Sequence, residues 1–313
     1  MPDNDEHEAL YPIRTVSALT GVNPVTLRAW ERRYGLIKPK RTPKGHRLYA
    51  DADIERIQRI LELLKQGIPI SQTRQLLANQ PKPLRTPEPQ PGSGGQDPWE
   101  DYQNRMHGAV ARFDEFGLDA AYNDALSLYP VDLVTRLLVM PLLRRLRGRW
   151  ETEPAGPAEA HFFNAYMRNK LGARFHHQSS RSQGPKLLAA GMPGEYNEIE
   201  LLLFSLSALT HGYRVVLLGG NMPLQPLPLA QQRAEARGVV IYGSIEPPPA
   251  LINTHVASLV QNIGVPVFLG GETAQNHADG IRGAGALPLP ADIGESLVAI
   301  DERLTQRRGP TPV

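Results

Sequence analysis

"RTVSALTGVNPVTLRAWERRYGL", residues 14–36, has the pattern of two short helices joined by a tight turn. Three apolar residues at helical spacing give the first helix a packing side: Val16, Leu19 and Val22. Gly21 permits the turn, and Asn23 followed by Pro24 is a favourable start for the second helix. The stretch therefore predicts a helix-turn-helix.

The second helix of this unit is predicted to read a DNA major groove. Leu27 and Trp30 point inward as core, which leaves polar and basic residues facing outward: Thr26, Arg28, Arg32 and Arg33. The next stretch, residues 38–49, has a Pro-Lys-Gly centre between extended flanks and predicts a β-hairpin wing. Its basic side chains are expected to meet phosphates or a minor groove: Lys40, Arg41, Lys44, His46 and Arg47.

Charge separates this N-terminal region from the rest of the chain. Residues 11–50 carry nine Lys or Arg residues and a single acid, Glu31, which is a net charge of +8. The remaining residues carry 25 basic and 31 acidic side chains, a net charge of −6. A basic segment on an acidic body favours a polyanionic partner, and the helix-turn-helix within that segment makes double-stranded DNA the expected one.

Residues 11–79 resemble the MerR family of transcription regulators through "TLRAWERRYGL", the "GHRLY" of the wing and the spacing between them. The resemblance implies DNA contacts from Thr26, Arg28, Tyr34, His46 and Arg47, with the Tyr34 hydroxyl on a phosphate. Packing of Tyr34 against the wing is the alternative. Members of the family act as dimers on near-palindromic elements, which implies a homo-oligomer here.

Composition narrows the class of protein further. The 313 residues include no cysteine, which excludes disulfides, thiolate metal sites and Cys nucleophiles. The polar start of the chain does not have the pattern of a signal peptide, and no apolar run approaches the ~18 residues of a membrane span. We therefore expect a cytoplasmic protein of ordinary globular composition.

A change of composition divides the chain after the first domain. Residues 80–98 contain six Pro and three Gly and are predicted to be a linker. Residues 99–178 have a helical pattern and predict a bundle of about four helices. Its apolar face is carried by residues three to four apart: Leu133, Leu137, Met140, Leu146 and Trp150.

Residues 184–306 predict an α/β domain. Short apolar runs bounded by Gly or Pro alternate with helical stretches: "KLLAAG", "RVVLLGG", "GVVIYGS", "PVFLGGE" and "GALPLP". Continuous apolar runs are typical of strands buried on both faces of a parallel sheet. Five such units predict a doubly wound, flavodoxin-like (Rossmann-like) sheet with ligands at the carboxyl ends of its strands.

The order of parts resembles the cobalamin-binding photoreceptor repressors of carotenoid genes and their cobalamin-independent relatives. Cobalamin-binding members have a Trp, nine residues and then Glu-His in the bundle; here Trp150 is followed by Ala160-His161. They have Glu-x-His-x-x-Gly after the first strand, and the His ligates cobalt. Here Asn197 stands at the His position and Glu200 at the Gly position.

Both changes weaken the case for a cofactor. An Asn amide is a poor ligand for a transition metal, and Glu200 adds bulk where the cofactor tail approaches in those relatives. The degenerate site that the resemblance implies consists of Trp150, His161, Glu195, Asn197, Ser244, Gly270 and Gly271. Binding of a corrin without axial ligation is the alternative, and no separate metal site is predicted.

The sequence therefore predicts a MerR-family, DNA-binding regulator that is not an enzyme. Its cobalamin-binding-like module would mediate oligomerisation, as a dimer or tetramer, and sense a small molecule or a regulatory protein without cobalamin. The alternative is an adenosylcobalamin-dependent, light-sensing repressor. No nucleophile, base and orienting group occur together in a known catalytic motif.

Overall fold

The computed structural model describes residues 9–78, 97–150, 152–180 and 182–306. The chain forms two compact units, Met1–Glu159 and Ala160–Val313. The predicted linker, 80–98, lies outside the described residues apart from its last two. The four predicted domain boundaries stay predictions.

The N-terminal head is a winged helix-turn-helix. Its helices are α1 (Ile13–Thr20), α2 (Pro24–Ala29, continued by a π-helical turn Trp30–Tyr34), α3 (Asp51–Lys65) and α4 (Ile70–Ala78). Its strands are β1 (Tyr11–Pro12), β2 (Lys40–Arg41) and β3 (Arg47–Tyr49), and they form an antiparallel sheet in the order β1-β3-β2. Strands β2 and β3 are the predicted wing.

Among the residues described, the first unit continues with four more helices, which belong to the predicted bundle. They are α5 (Pro98–Ala111), α6 (Glu115–Leu128), α7 (Val131–Val134, continued by a π-helical turn Thr135–Val139) and α8 (Met140–Trp150). The next helix, α9 (Gly156–Ser179), contains the boundary between the two units.

The prediction of which residues of α7 and α8 form the buried face is partly wrong. Leu133 and Leu146 are buried as expected, but Leu138 and Val139 are buried in place of Leu137 and Met140. The π-helical turn is the reason, because it adds a residue to one turn and rotates the following side chains about the helix axis.

The second unit contains the predicted parallel sheet. Its strands are β4 (Lys186–Gly191), β5 (Arg214–Gly219), β6 (Gly238–Tyr242), β7 (Val267–Gly270) and β8 (Leu287–Pro288). Their order is β5-β4-β6-β7-β8, and every pairing is parallel. This is the flavodoxin-like order, so the prediction of a doubly wound sheet is confirmed.

Helices cover both faces of this sheet. They are α10 (Ile199–Thr210), α11 (Leu227–Ala234), α12 (Ala257–Asn262, preceded by a π-helical segment Leu251–Val256), α13 (Glu272–Asn276), α14 (Ala278–Gly283) and α15 (Ile293–Gln306). One face of the sheet packs on α11 and α12 through Leu227 and Leu259. The other packs on α10 and α15 through Phe204 and Ile300, which explains the uninterrupted apolar strands.

Among the described residues, no helix combines the length and the apolarity that crossing a lipid bilayer requires.

Candidate DNA-binding surface and cobalamin-binding-like pocket

Helix α2 begins as its sequence predicts. The Asn23 side-chain oxygen accepts a hydrogen bond from the Val25 amide at 2.9 Å, and Pro24 occupies the first helical position. Leu27 is fully buried, and Gly21 ends α1 in the left-handed conformation with φ 70°. These local features fix the angle at which α2 leaves the turn.

A carboxylate on the recognition helix holds the wing in place. Glu31 accepts hydrogen bonds from Arg41, at 2.7 Å, and from the Nε of Arg47. Partial burial raises the pKa of the Glu31 carboxyl, but the hydrogen bonds from Arg47 and Arg41 outweigh that effect and hold the pKa below its ordinary value. Arg47, predicted to contact DNA, therefore also fastens the wing to α2.

The other predicted contact residues of the head divide by exposure. Arg28 and Arg32 are exposed on α2, as are Lys44 and His46 on the wing, whereas Tyr34 is half-buried. The wing turn is closed by the Thr42 amide, which donates to the His46 carbonyl at 2.9 Å. The structure thus presents four of the predicted side chains on the head's surface, and their contacts with DNA stay predictions.

Thr26 and Trp30 lie against α6. Both are fully buried. The Thr26 hydroxyl donates to the Leu126 carbonyl at 3.4 Å, and the Trp30 indole N–H donates to the Leu128 carbonyl at 2.8 Å. Thr26 is therefore inaccessible to DNA in this conformation, and its predicted contact requires α2 and α6 to separate. Trp30 is buried as predicted, with its indole against the bundle.

A cavity flanks the same contact. It has a volume of about 420 Å³ and is lined on the α2 side by Val25, Arg28, Ala29, Arg32 and Arg33, and on the α6 side by Ser127. The exposed arginines of α2 thus lie beside the end of α6.

In the bundle half of the cofactor motif, Glu159 is buried and forms an ion pair with Arg149. Glu159 is 2 % exposed, and its carboxylate accepts hydrogen bonds from Arg149 at 3.2 and 3.4 Å. That contact raises the pKa of the Arg149 guanidinium. Trp150 ends α8 half-buried, and His161 is exposed on α9.

In the sheet unit, Glu195 and Asn197 are engaged in local structure. Glu195 is 3 % exposed, and its carboxylate accepts from the Asn197 amide at 2.8 Å, from the Ser244 amide at 2.7 Å and from the Ser244 hydroxyl. The Asn197 side-chain oxygen accepts from the Ile199 amide at 3.0 Å. The structure thus brings Glu195, Asn197 and Ser244 together as a network, centred on the buried Glu195, that joins two loops at the carboxyl end of the sheet.

Gly270 and Gly271 face side chains of the same unit. A Cβ atom on Gly270 would lie 2.6 Å from the Tyr242 ring, and one on Gly271 would lie 3.2 Å from the Glu200 carboxylate. Tyr242 is 6 % exposed and Glu200 8 % exposed. Burial, and then the charge of Glu200, raise the pKa of the Tyr242 hydroxyl far above its ordinary value. The Tyr242 ring therefore fills the space in front of Gly270, whereas the Gly243 carbonyl, at 2.4 Å, and the Glu200 carboxylate limit the space in front of Gly271.

Comparison with known proteins identifies the head. Residues 11–80 match the profile of the MerR HTH family regulatory proteins. The chain is 31 % identical over 214 residues to the HTH-type transcriptional regulator MlrA of Salmonella typhimurium, which covers 68 % of this chain and 82 % of that protein. It is 38 % identical to MlrA of Escherichia coli over 144 residues, 46 % of this chain and 55 % of that protein's length.

The chain belongs to the MerR family of transcriptional regulators.

Other similarities extend beyond the head of this MerR regulator. Residues 102–174 match the profile of the B12 binding domain. The HTH-type transcriptional repressor CarA of Myxococcus xanthus is 27 % identical over 291 residues, covering 92 % of this chain and 95 % of CarA. A monomethylamine corrinoid protein of Methanosarcina barkeri shares the fold, with a TM-score of 0.50 at 13 % identity, covering 65 % of this chain and 99 % of that structure.

Sequence reasoning missed three features of this MerR regulator. The carbonyls of α6 that contact α2 carry no signal, because a backbone group has no sequence signature and the contact joins residues about a hundred positions apart. Tyr242 was visible as an aromatic residue at a strand end in "GVVIYGS", although its position against Gly270 was not. Glu198 is charged, as surface residues usually are, so the sequence did not indicate its role. In the structure its carboxylate accepts a hydrogen bond from the Gly220 amide at 2.6 Å.

Proposed function

We propose that this MerR regulator binds a near-palindromic promoter element as a homo-oligomer, and that its cobalamin-binding-like module assembles protomers and senses a signal without cobalamin. The signal would be another small molecule or a regulatory protein that binds one oligomeric state better than another. We expect it to act in the cytoplasm and to turn over no substrate.

The filling of the pocket by Tyr242 and Glu200 is the observation that carries the cobalamin part of the proposal. The Tyr242 ring fills the space in front of Gly270, and the Glu200 carboxylate limits the space in front of Gly271, where the resemblance places the cofactor. A bound ligand would also have to displace or pair the buried Glu200 carboxylate, which is costly for a buried charge. We infer that these residues do not fit a cobalamin.

The chemistry at Asn197 supports the same inference. The side-chain oxygen already accepts a hydrogen bond from the Ile199 amide and so helps to start α10. A metal would have to compete with that bond for a neutral amide oxygen, which is a weak donor compared with an imidazole nitrogen. Axial ligation through Asn197 would therefore cost the hydrogen bond that its side chain makes at the start of α10.

One observation favours the alternative, a light-sensing repressor that uses adenosylcobalamin. The B12 binding domain profile matches residues 102–174, and Trp150 and His161 are both present. Those residues belong to the half of the motif that would cover a corrin from above. The alternative therefore requires that contacts from the bundle bind the corrin strongly enough to overcome the obstruction by Tyr242 and Glu200.

An absorption spectrum separates the two readings. The full chain is incubated in the dark with adenosylcobalamin and desalted, and the bound corrin is read from its visible bands. We expect no retained corrin for the wild type. Retention, followed by a light-dependent change in mass by light scattering, would overturn our proposal in favour of the photoreceptor.

A set of variants tests whether side chains alone closed the pocket. The triple variant Asn197→His, Glu200→Gly, Tyr242→Ser supplies the ligand and removes both obstructing groups, so we expect it to retain corrin. The matched control is the same triple change with Asn197→Ala, which opens the pocket without supplying a ligand and should retain less. Equal retention by both would show that ligation at position 197 does not decide binding.

A further inference from the structure

The contact between the head and α6 is made by the last turn of that helix. The carbonyls of Leu126 and Leu128 accept from Thr26 and Trp30 of α2. Both hydrogen bonds join the recognition helix to the same short stretch of the bundle, which ends at Tyr129, the first residue after α6.

These contacts are buried. Thr26 and Trp30 are 0 % exposed, Tyr129 is 3 % and Leu128 is 7 %. Burial raises the pKa of the Tyr129 hydroxyl to about 12. Its ring also lies 4.5 Å from that of Trp99, centroid to centroid, so the segment is anchored in the aromatic core of the bundle. Buried donors that find partners across a contact favour one fixed arrangement over a loose collision.

That arrangement is incompatible with a helix inserted in DNA. A major groove about 12 Å wide admits one helix, and its phosphate walls then lie along both flanks of that helix. Helix α6 takes the place of one wall, because packed helices lie about 8–10 Å apart. It also covers Thr26 and lies beside the cavity that Arg28 and Arg32 line.

We infer that α6 acts as an internal clamp on the recognition helix, and that the head must leave α6 before it can bind an operator. The inference rests on the proposed function, since it names how DNA binding by the same head is regulated. The apparent dissociation constant equals the intrinsic one divided by the fraction of released heads. Any signal that stabilises the released state raises affinity without touching DNA.

The covalent connection permits such a movement. Residues 79–96 join α4 to α5, and 18 residues of chain can span up to about 60 Å when extended.

Ser127 allows the clamp to be changed from the bundle side, with every DNA-binding residue intact. It lines the cavity opposite three arginines of α2. Ser127→Arg places a like charge there and should favour release, whereas Ser127→Glu places an opposite charge there and should favour the clamped state. Asn123→Arg and Asn123→Glu are the matched controls, because Asn123 is exposed one turn earlier on α6 and outside the cavity lining.

The affinities are measured with the full chain and a duplex enriched by that chain from a random-sequence library, at fixed salt. We expect Ser127→Arg to bind about three- to tenfold more tightly than the wild type, and Ser127→Glu to bind more weakly by a similar factor. The Asn123 variants report the effect of the added charge alone. Ser127 variants that match their Asn123 counterparts would overturn the clamp.

A distance measurement tests release directly. Because the chain has no cysteine, Glu55→Cys with Glu115→Cys gives two exposed sites for spin labels, one on the head and one on α6. A saturating amount of the selected duplex should lengthen the distance between them, while a pair within the head, Glu55→Cys with Gln75→Cys, should not change. An unchanged distance between head and α6 in the bound state would refute the clamp alone. Failure of the wild type to enrich any duplex would instead refute the proposed function.

Discussion

The head and the sheet unit of this regulator differ in how accessible their predicted binding residues are. The head keeps its basic side chains exposed and holds the recognition helix against α6 through Thr26 and Trp30. The sheet unit keeps its fold and fills the space in front of Gly270 with the Tyr242 ring. A buried contact in the head is reversible by movement, whereas a filled pocket in a close-packed sheet is not. Burial of a binding residue therefore has different consequences in the two regions.

The largest expected effect is on stability and concerns the Tyr242 ring of the sheet unit. Tyr242→Ala removes a buried ring from between α10 and Gly270, so we expect the free energy of unfolding to fall by about 3–5 kcal/mol. Denaturant unfolding followed by far-UV circular dichroism measures the change. A loss below about 1 kcal/mol would mean that the ring fills no space the fold requires.

The next largest expected effect is on the affinity of the head for DNA. Arg28→Ala removes an exposed guanidinium from the recognition helix and should weaken binding to the selected duplex by roughly 10- to 100-fold. Arg233→Ala, an exposed arginine on α11, is the control for loss of positive charge. Equal small effects of both variants in a titration at constant salt would contradict the assigned recognition helix.

A smaller effect concerns the buried contact itself. Trp30→Phe keeps an aromatic side chain but deletes the indole N–H, which leaves the buried Leu128 carbonyl without its donor. The unfolding free energy of the first unit should fall by about 1–2 kcal/mol. Trp99→Phe tests whether loss of any buried tryptophan has the same result, because Trp99 is buried in α5 and packs its ring on Tyr129.

The smallest effect is a pH dependence of the wing. The pKa of Glu31 is lower in the folded head than its ordinary value of 4.5. The stabilisation it supplies is therefore complete above about pH 4.5 and is lost as the pH falls through the folded value. Glu31→Gln should flatten this acid limb in thermal melts between pH 3 and 6. A variant that keeps the wild-type acid limb would assign it to other carboxylates.

Local sequence signals predicted most of the fold because they depend on neighbouring residues. Asn23 and Pro24 start α2, and apolar runs such as "GVVIYGS" mark strands without reference to the rest of the chain. The phase of the helix after Leu133 was missed, because a π-helical turn is set by packing and has no strong local pattern. The sequence also identified Asn197 and Glu200 as departures, since each replaces one residue type by another with different chemistry.

Contacts between distant residues account for what the sequence did not predict. The position of Trp30 against Leu128 depends on how two domains pack, and 98 residues separate the partners. The Arg149–Glu159 ion pair likewise closes only when two helix ends meet. Helical spacing predicted that Trp30 is a core residue, but nothing in the sequence indicated its partner or the burial of Glu159.

The close approach of the Tyr242 ring to Gly270 has a consequence for how such domains are recognised. Any side chain at position 270 would collide with the ring, so packing against Tyr242 is by itself enough to require a glycine there. A diglycine at the end of this strand is therefore not by itself evidence of a bound ligand. Sorting related chains by what stands opposite the glycines would separate occupied pockets from closed ones.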